Sequence, residues 1–280
     1  MERLISTLNK LSEKSKEQYH RPYDRFEWPE AISEGSYWIS PELMSTYEAD
    51  CSRNITEEQA IELSKWEMVN FFSLNIHGIK DLLFSVIDLI HTNDFRESSP
   101  YFHHFIDEEN NHMWFFAEFC TRYANKIYDS KRLTLKSFDA VRTKNYVTFS
   151  RILIFERMVA YYNGAMMKDE RLDPIIRDIN RMHFQEESRH LAMGHEMIRT
   201  LGDELLVERG DDEVGEVHDY LRDYAKLCVA SFYNPAMYRD AGIEDAYGVR
   251  RQLLADEARQ SFNNELVDYS LRPFAQVGSA

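Results

Sequence analysis

The chain has 280 residues with 33 basic and 48 acidic side chains, a formal charge of −15. That sign repels nucleic-acid backbones and anionic lipid, and no basic patch offsets it, because bases such as Arg151, Arg157 and Lys168 are interleaved with acids. Ten Gly and seven Pro leave little turn punctuation, which disfavours sheet-rich folds and predicts long helices in one large domain.

Residues 1 to 56 hold Pro22, Pro29 and Pro41 among aromatics such as Tyr23, Phe26, Trp28, Tyr37 and Trp38, without a sustained helical period. They predict an arm packed across the rest of the molecule, since disordered tails are poor in such rings. Thr56 with Glu57 and Glu58 just inside signals a helix start, and helix A is expected to run to about His91. After a polar loop, helix B is expected over about 101 to 128, antiparallel to A. A polar connection near 129 to 143 leads to helix C, about 146 to 167, which is apolar nearly all round and therefore central. Asp173-Pro174 opens helix D, expected to end near Leu201 before Gly202. Amphipathic segments over about 213 to 232 and 243 to 269 complete an all-α chain.

No run of about 18 uncharged apolar residues occurs, since even 152 to 167 carries Glu156 and Arg157. Met1-Glu2-Arg3-Leu4 lacks the apolar core of a secretory signal. Cys51, Cys120 and Cys228 are odd in number and scattered, which suits reduced thiols. A cytoplasmic location is the resulting expectation.

Chemistry concentrates on helices B and D. Glu109 and His112 on B, and His183, Glu187 and His190 on D, are three, four or seven residues apart and so share helix faces. Glu17-x-x-His20 repeats the Glu-x-x-His spacing in the arm but is followed at once by Arg21-Pro22 and is set aside. Glu156 lies mid-helix in the buried C, where an isolated carboxylate must be protonated, paired or metal-bound. Any one of these residues has a plain reading, such as a core histidine or a Glu156–Arg181 pair. Acids and imidazoles converging from separate helices match instead the di-metal bundles, in which two helices each give an acid and two each give Glu-x-x-His. Helix A must then supply a ligand, and pairing A with B about their loop favours Asp81.

On Glu108-Glu109-x-x-His112, Glu156 and His183-x-x-x-Glu187-x-x-His190, the chain resembles the p-aminobenzoate N-oxygenase family of ferritin-like di-iron enzymes, most closely over residues 56 to 200. The resemblance implies a ferritin-like four-helix bundle core in residues 57 to 280, with extra C-terminal helices and the aromatic arm of residues 1 to 56 packed on it. It implies a non-haem di-iron oxygenase that uses O2 on a small organic substrate, with N-oxygenation of an amine towards a nitroso or nitro product favoured. Oxidation at carbon, or ferritin-type iron oxidation and storage, are the alternatives.

The implied cofactors are two iron ions, with manganese as the alternative, and O2 is co-substrate. Glu109 and Glu187 would bridge or chelate the irons, His112 would bind one, and Glu156, His183 and His190 would bind or surround the other. On helix A, aligning Trp66 and Asn70 puts His77 at the family's first glutamate, so His77 and Asp81 both stand as candidates. The implied partners are an amine or related small molecule and an external electron donor or reductase, with room for a homodimer and no nucleic acid or membrane.

Overall fold

A computed structural model describes residues 1–19, 21–53, 55–130 and 136–277; His20 and part of the connection expected near 129 to 143 lie outside the described residues. Among them run nine α-helices: α1 Glu2–Glu17, α2 Glu57–Ile87, α3 Ser99–Ala124, α4 Val141–Met166, α5 Pro174–Arg209, α6 Asp211–Ser231, α7 Pro235–Asp240, α8 Ala246–Ala255 and α9 Glu257–Leu271. No strand forms among the described residues, and a single bridge joins Tyr37 to Leu172. The core is a four-helix bundle in which α2 pairs with α3 and α4 with α5. None of the described helices is long and apolar enough to cross a membrane.

Local chemistry sets the helix boundaries. The Thr56 hydroxyl accepts from Gln59 N while the Gln59 side chain accepts from Thr56 N, a capping box that starts α2. Asp173 accepts from Ile175 N, and Pro174 fills the first turn of α5. α3 ends at Asn125, whose φ of 47° lies in the left-handed region that Asn tolerates.

Three elements differ from the sequence reading. The arm begins with a regular helix, α1, whose Leu4, Leu8, Leu11 and Ser15 are buried at helical spacing against α3 and α5. The many prolines and rings that follow it mask that short period. α5 continues through Gly202 to Arg209 because this glycine serves close packing; a Cβ there would meet Val277 at 2.5 Å and Tyr146 at 3.1 Å. The segment expected as one helix near 243 to 269 is divided at Asp256, which is extended (φ −68°, ψ 132°) and caps α9 by accepting from Ala258 N and Arg259 N.

Ring contacts fix the register of the bundle. Phe72 of α2 lies 4.5 Å from Phe116 of α3, and Phe71 stacks on Tyr162 of α4 at 5.2 Å. Two turns further along α2, Gly78 brings the backbone so close to α4 that a Cβ would sit 2.9 Å from the Phe155 ring. The middle of α2 therefore stands level with Glu156. One apolar cluster runs through the whole assembly, from Leu4 in α1 to Phe274 beyond α9.

Candidate metal centre

Six of the seven residues singled out by sequence meet at one place in the middle of the bundle. α3 contributes Glu109 and His112, α4 contributes Glu156, and α5 contributes His183, Glu187 and His190. All six are at most 3% exposed. One ligand atom from each of Glu109, His112, Glu187 and His190 can be chosen so that all four lie within 4.8 Å of one another.

The two acids of α3 and α5 stand between the imidazoles. His112 Nδ1 is 3.2 Å from Glu187 Oε1 and 3.4 Å from Glu109 Oε2, and His183 Nε2 is 2.9 Å from the same Glu187 Oε1. His190 Nδ1 is 2.8 Å from Glu109 Oε1 and 3.3 Å from Glu187 Oε2. Each carboxylate thus turns one oxygen to the His112/His183 side and the other to the His190 side. These atoms are close, yet none has hydrogen-bond geometry: both oxygens of Glu109 and Glu187, Nδ1 of His112 and His190, Nε2 of His183 and Oε1 of Glu156 are all buried without a partner. Burying so many unsatisfied polar atoms together costs a great deal unless a cation satisfies them at once. The donor set of carboxylate oxygen and imidazole nitrogen suits iron or manganese, so the residues present fit a pair of such ions.

The outward nitrogens of the histidines are held by the protein. His112 Nε2 donates to Glu186 Oε2 at 2.7 Å, and His190 Nε2 donates to Glu108 Oε2 at 2.8 Å. The helices therefore brace each other: an acid of α5 orients the imidazole of α3, and an acid of α3 orients that of α5. Arg189 joins the two acids, 2.9 Å from Glu108 and 3.5 Å from Glu186, and its other arm donates to Gln18 at the end of α1 at 2.6 Å. His183 Nδ1 lies 2.6 Å from the Asn163 amide. With each outward nitrogen engaged, every histidine presents its other nitrogen inward, the arrangement that orients metal-binding imidazoles.

The same contacts dictate protonation. Burial pushes the Glu156 carboxyl well above its ordinary range, and the neighbouring Glu187 and Glu109 push it further. Burial opposes ionisation of Glu187 too, but His190 and His183 hold it well below the ordinary range. Burial works against charge on His112 and His190, which their acid partners nevertheless raise well above the usual imidazole value, whereas burial keeps His183 low. The cluster offsets carboxylate charge with protons, and a divalent ion offers the same compensation in their place.

α2 stands apart. His77 Nε2 donates to the Tyr128 carbonyl at 2.8 Å and its Nδ1 is buried without a partner, while Asp81 is exposed; neither belongs to the group of four whose ligand atoms lie within 4.8 Å of one another. Arg181 pairs with Asp178 rather than Glu156. Glu186, Arg189 and Asn163 were missed in the sequence reading. The signal for Glu186 was a repeated acidic doublet, Glu108-Glu109 and Glu186-Glu187, each followed three residues later by His.

Aromatic and aliphatic walls enclose the site. Phe105 lies edge-on 4.6 Å from His190, Phe116 lies 4.9 Å from His183, and Leu153 fills the close approach of α4 to α5 at Gly194. Tyr162, stacked on Phe71, belongs to this wall, while Tyr161 turns outward to Phe262 and Tyr269 of α9.

Comparison with known proteins follows the same lines. The family model described as P-aminobenzoate N-oxygenase AurF matches residues 4–278. Among solved structures, a point mutant of an R2-like ligand-binding oxidase with anaerobically reconstituted Mn/Fe cofactor superposes with a TM-score of 0.55 at 16% identity, covering 95% of this chain and 93% of that one. A second mutant of an R2-like ligand-binding oxidase, aerobically reconstituted with Mn/Fe, gives 0.54 at 15% identity over 92% and 93%. At these identities the likeness is one of fold, the ferritin-like bundle. No curated protein matches the chain.

Proposed function

Because the chain belongs to the p-aminobenzoate N-oxygenase family and is thus a di-iron oxygenase acting on a small molecule, we propose that it oxidises an amine nitrogen towards the nitroso or nitro level. Glu109, His112, Glu156, His183, Glu187 and His190 hold the two ions, and manganese is the alternative metal. The observation that supports this most is the convergence of unpartnered acid and imidazole atoms from three helices on one buried point. Bound there, the metal pair supplies the electrons and Lewis acidity that activation of O2 requires.

The protein's own part is to hold and seal. Glu108, Glu186 and Asn163 fix the imidazole orientations, and Phe105, Phe116 and Leu153 keep water from the reacting atoms. A surface groove of about 880 Å³ beside Tyr47, Tyr161 and Phe262 gives a small molecule a way in. It meets, at Leu43 and Arg259, a tight internal cavity of about 20 Å³ that reaches the Phe71–Tyr162 wall. An external reductase supplies electrons. The chain works as one unit in the cytoplasm, with residues 57 to 280 as the metal-bearing domain, and its three free thiols suit that compartment.

The test is aerobic turnover of iron-loaded, chemically reduced protein with a panel of arylamines and alkylamines, read by mass spectrometry. Hydroxylamine, nitroso or nitro products are expected. Oxygen inserted only at carbon, or iron mineral formed with every amine intact, would overturn the assignment.

A further inference from the structure

We infer that His91 and His103 form a second metal site, separate from the buried centre: a surface clip of two imidazoles for copper(II), nickel(II) or zinc(II). His91 lies four residues beyond the end of α2 and His103 one turn into α3, and both are exposed. Their Nε2 atoms are 3.1 Å apart, with the ring centroids at 5.2 Å. Bonds of about 2.0–2.1 Å from imidazole nitrogen to such an ion put two adjacent nitrogens about 2.9 Å apart at a right-angled site and about 3.3 Å apart at a tetrahedral one. The observed spacing lies between these values, so one ion can take both nitrogens with little movement of either ring.

The backbone holds this pair in place. His91 has a φ of 58°, in the left-handed region that histidine tolerates better than most residues with a Cβ. Its N donates to Ser99 Oγ at 2.8 Å, and the Ser99 hydroxyl donates in turn to the Phe95 carbonyl at 2.7 Å. Ser99 and His103 are one turn apart on α3, so a single helix face fixes the main chain of His91 and also meets its ring. As a hydrogen bond between two neutral rings the contact is exposed to water, which can replace either partner, and exchanging it for a cation costs little. The net charge of −15 favours a cation, and two imidazoles suit copper, nickel or zinc, whereas the acid-rich buried centre suits iron or manganese. Because the two rings stand at either end of the connection between α2 and α3, an ion held by both closes that loop and stabilises the folded chain.

Titration of the full-length, iron-loaded and air-oxidised protein with copper(II), followed by electron paramagnetic resonance, tests this. The native chain is expected to take up one copper more than His91→Asn does, with hyperfine splitting from two nitrogens, and its melting temperature should rise on loading. His91→Asn keeps a residue that tolerates the left-handed turn, and His103→Gln keeps a polar side chain on an exposed helix face, so both variants should fold as the native chain does. Each should bind this copper at least about tenfold more weakly, the lower end of what disturbing even an outer partner of a metal ligand costs. Each should also lose the two-nitrogen signature and the rise in melting temperature while its iron content stays native. Because native chain and variants are compared, a buried centre that failed to take iron would not imitate this result. Equal copper uptake by the native chain and either variant, or a native spectrum in which fewer than two nitrogens couple, would overturn the inference.

Discussion

Two clusters of buried acid lie on the same bundle and meet opposite fates. Around Glu67, Ser45 donates to both carboxylate oxygens, from its backbone N at 3.0 Å to Oε2 and from its hydroxyl at 2.5 Å to Oε1, and Tyr238 donates to that hydroxyl at 2.8 Å. Nothing in that group is left over for a ligand. At the centre, Glu109 and Glu187 are more deeply buried and neither oxygen of either has a hydrogen-bond partner, although donors and acceptors crowd around them. Burial of a carboxylate alone therefore says little about metal; what separates a structural acid from a ligand is whether its lone pairs are consumed by the protein or left facing one common point.

Breaking the centre should give the largest effects. Chelating the ions from loaded protein should lower its stability by about 4 kcal/mol for each ion held at free metal near a thousand times its dissociation constant, measured by thermal melting with and without iron. Glu187→Gln should abolish binding of both ions and also weaken the metal-free form, because His190 and His183 hold that carboxylate ionised and lose their charged partner. Glu67→Gln should leave the iron count unchanged.

A smaller effect sharpens the contrast through pH. Burial is the main influence on Glu67 and raises its carboxyl from 4.5 to about 7. The folded state thus holds this proton more tightly than the unfolded chain does, and stability falls as pH rises from about 4.5 to about 7, then levels off. The loss is of order 3 kcal/mol, and Glu67→Gln should remove that slope from denaturant melts of metal-free protein. Smallest is Gly78→Ala, which presses a methyl group against Phe155 beside Glu156. It should cost about 1–3 kcal/mol as overpacking and keep both irons.

Much of this architecture was legible in the sequence, and the reason is physical. Helices α2 to α5 declare themselves through apolar period, caps and sparse glycine, and Glu109, His112, His183, Glu187 and His190 sit at spacings that can only share a face if those helices form. Glu156 was legible because a charge in an all-round apolar helix demands a partner. The α2 contribution was not, since choosing between His77 and Asp81 depends on a register set by contacts between helices, such as those of Phe72 and Gly78, that no period encodes. α1 escaped because its stripe of leucines is short, and the outer brace of Glu186 and Arg189 because its partners come from another helix.

That brace reaches the surface. Arg189, which ties Glu108 to Glu186, also grips Gln18 where α1 ends, and Arg3 near the start of the same helix pairs with Glu196 of α5. The first helix is thus mechanically in series with the imidazoles, and each time it frays the clamp on His112 and His190 slackens. How fast the ions leak out, as distinct from how tightly they bind, is then governed by sixteen residues that touch no metal at all.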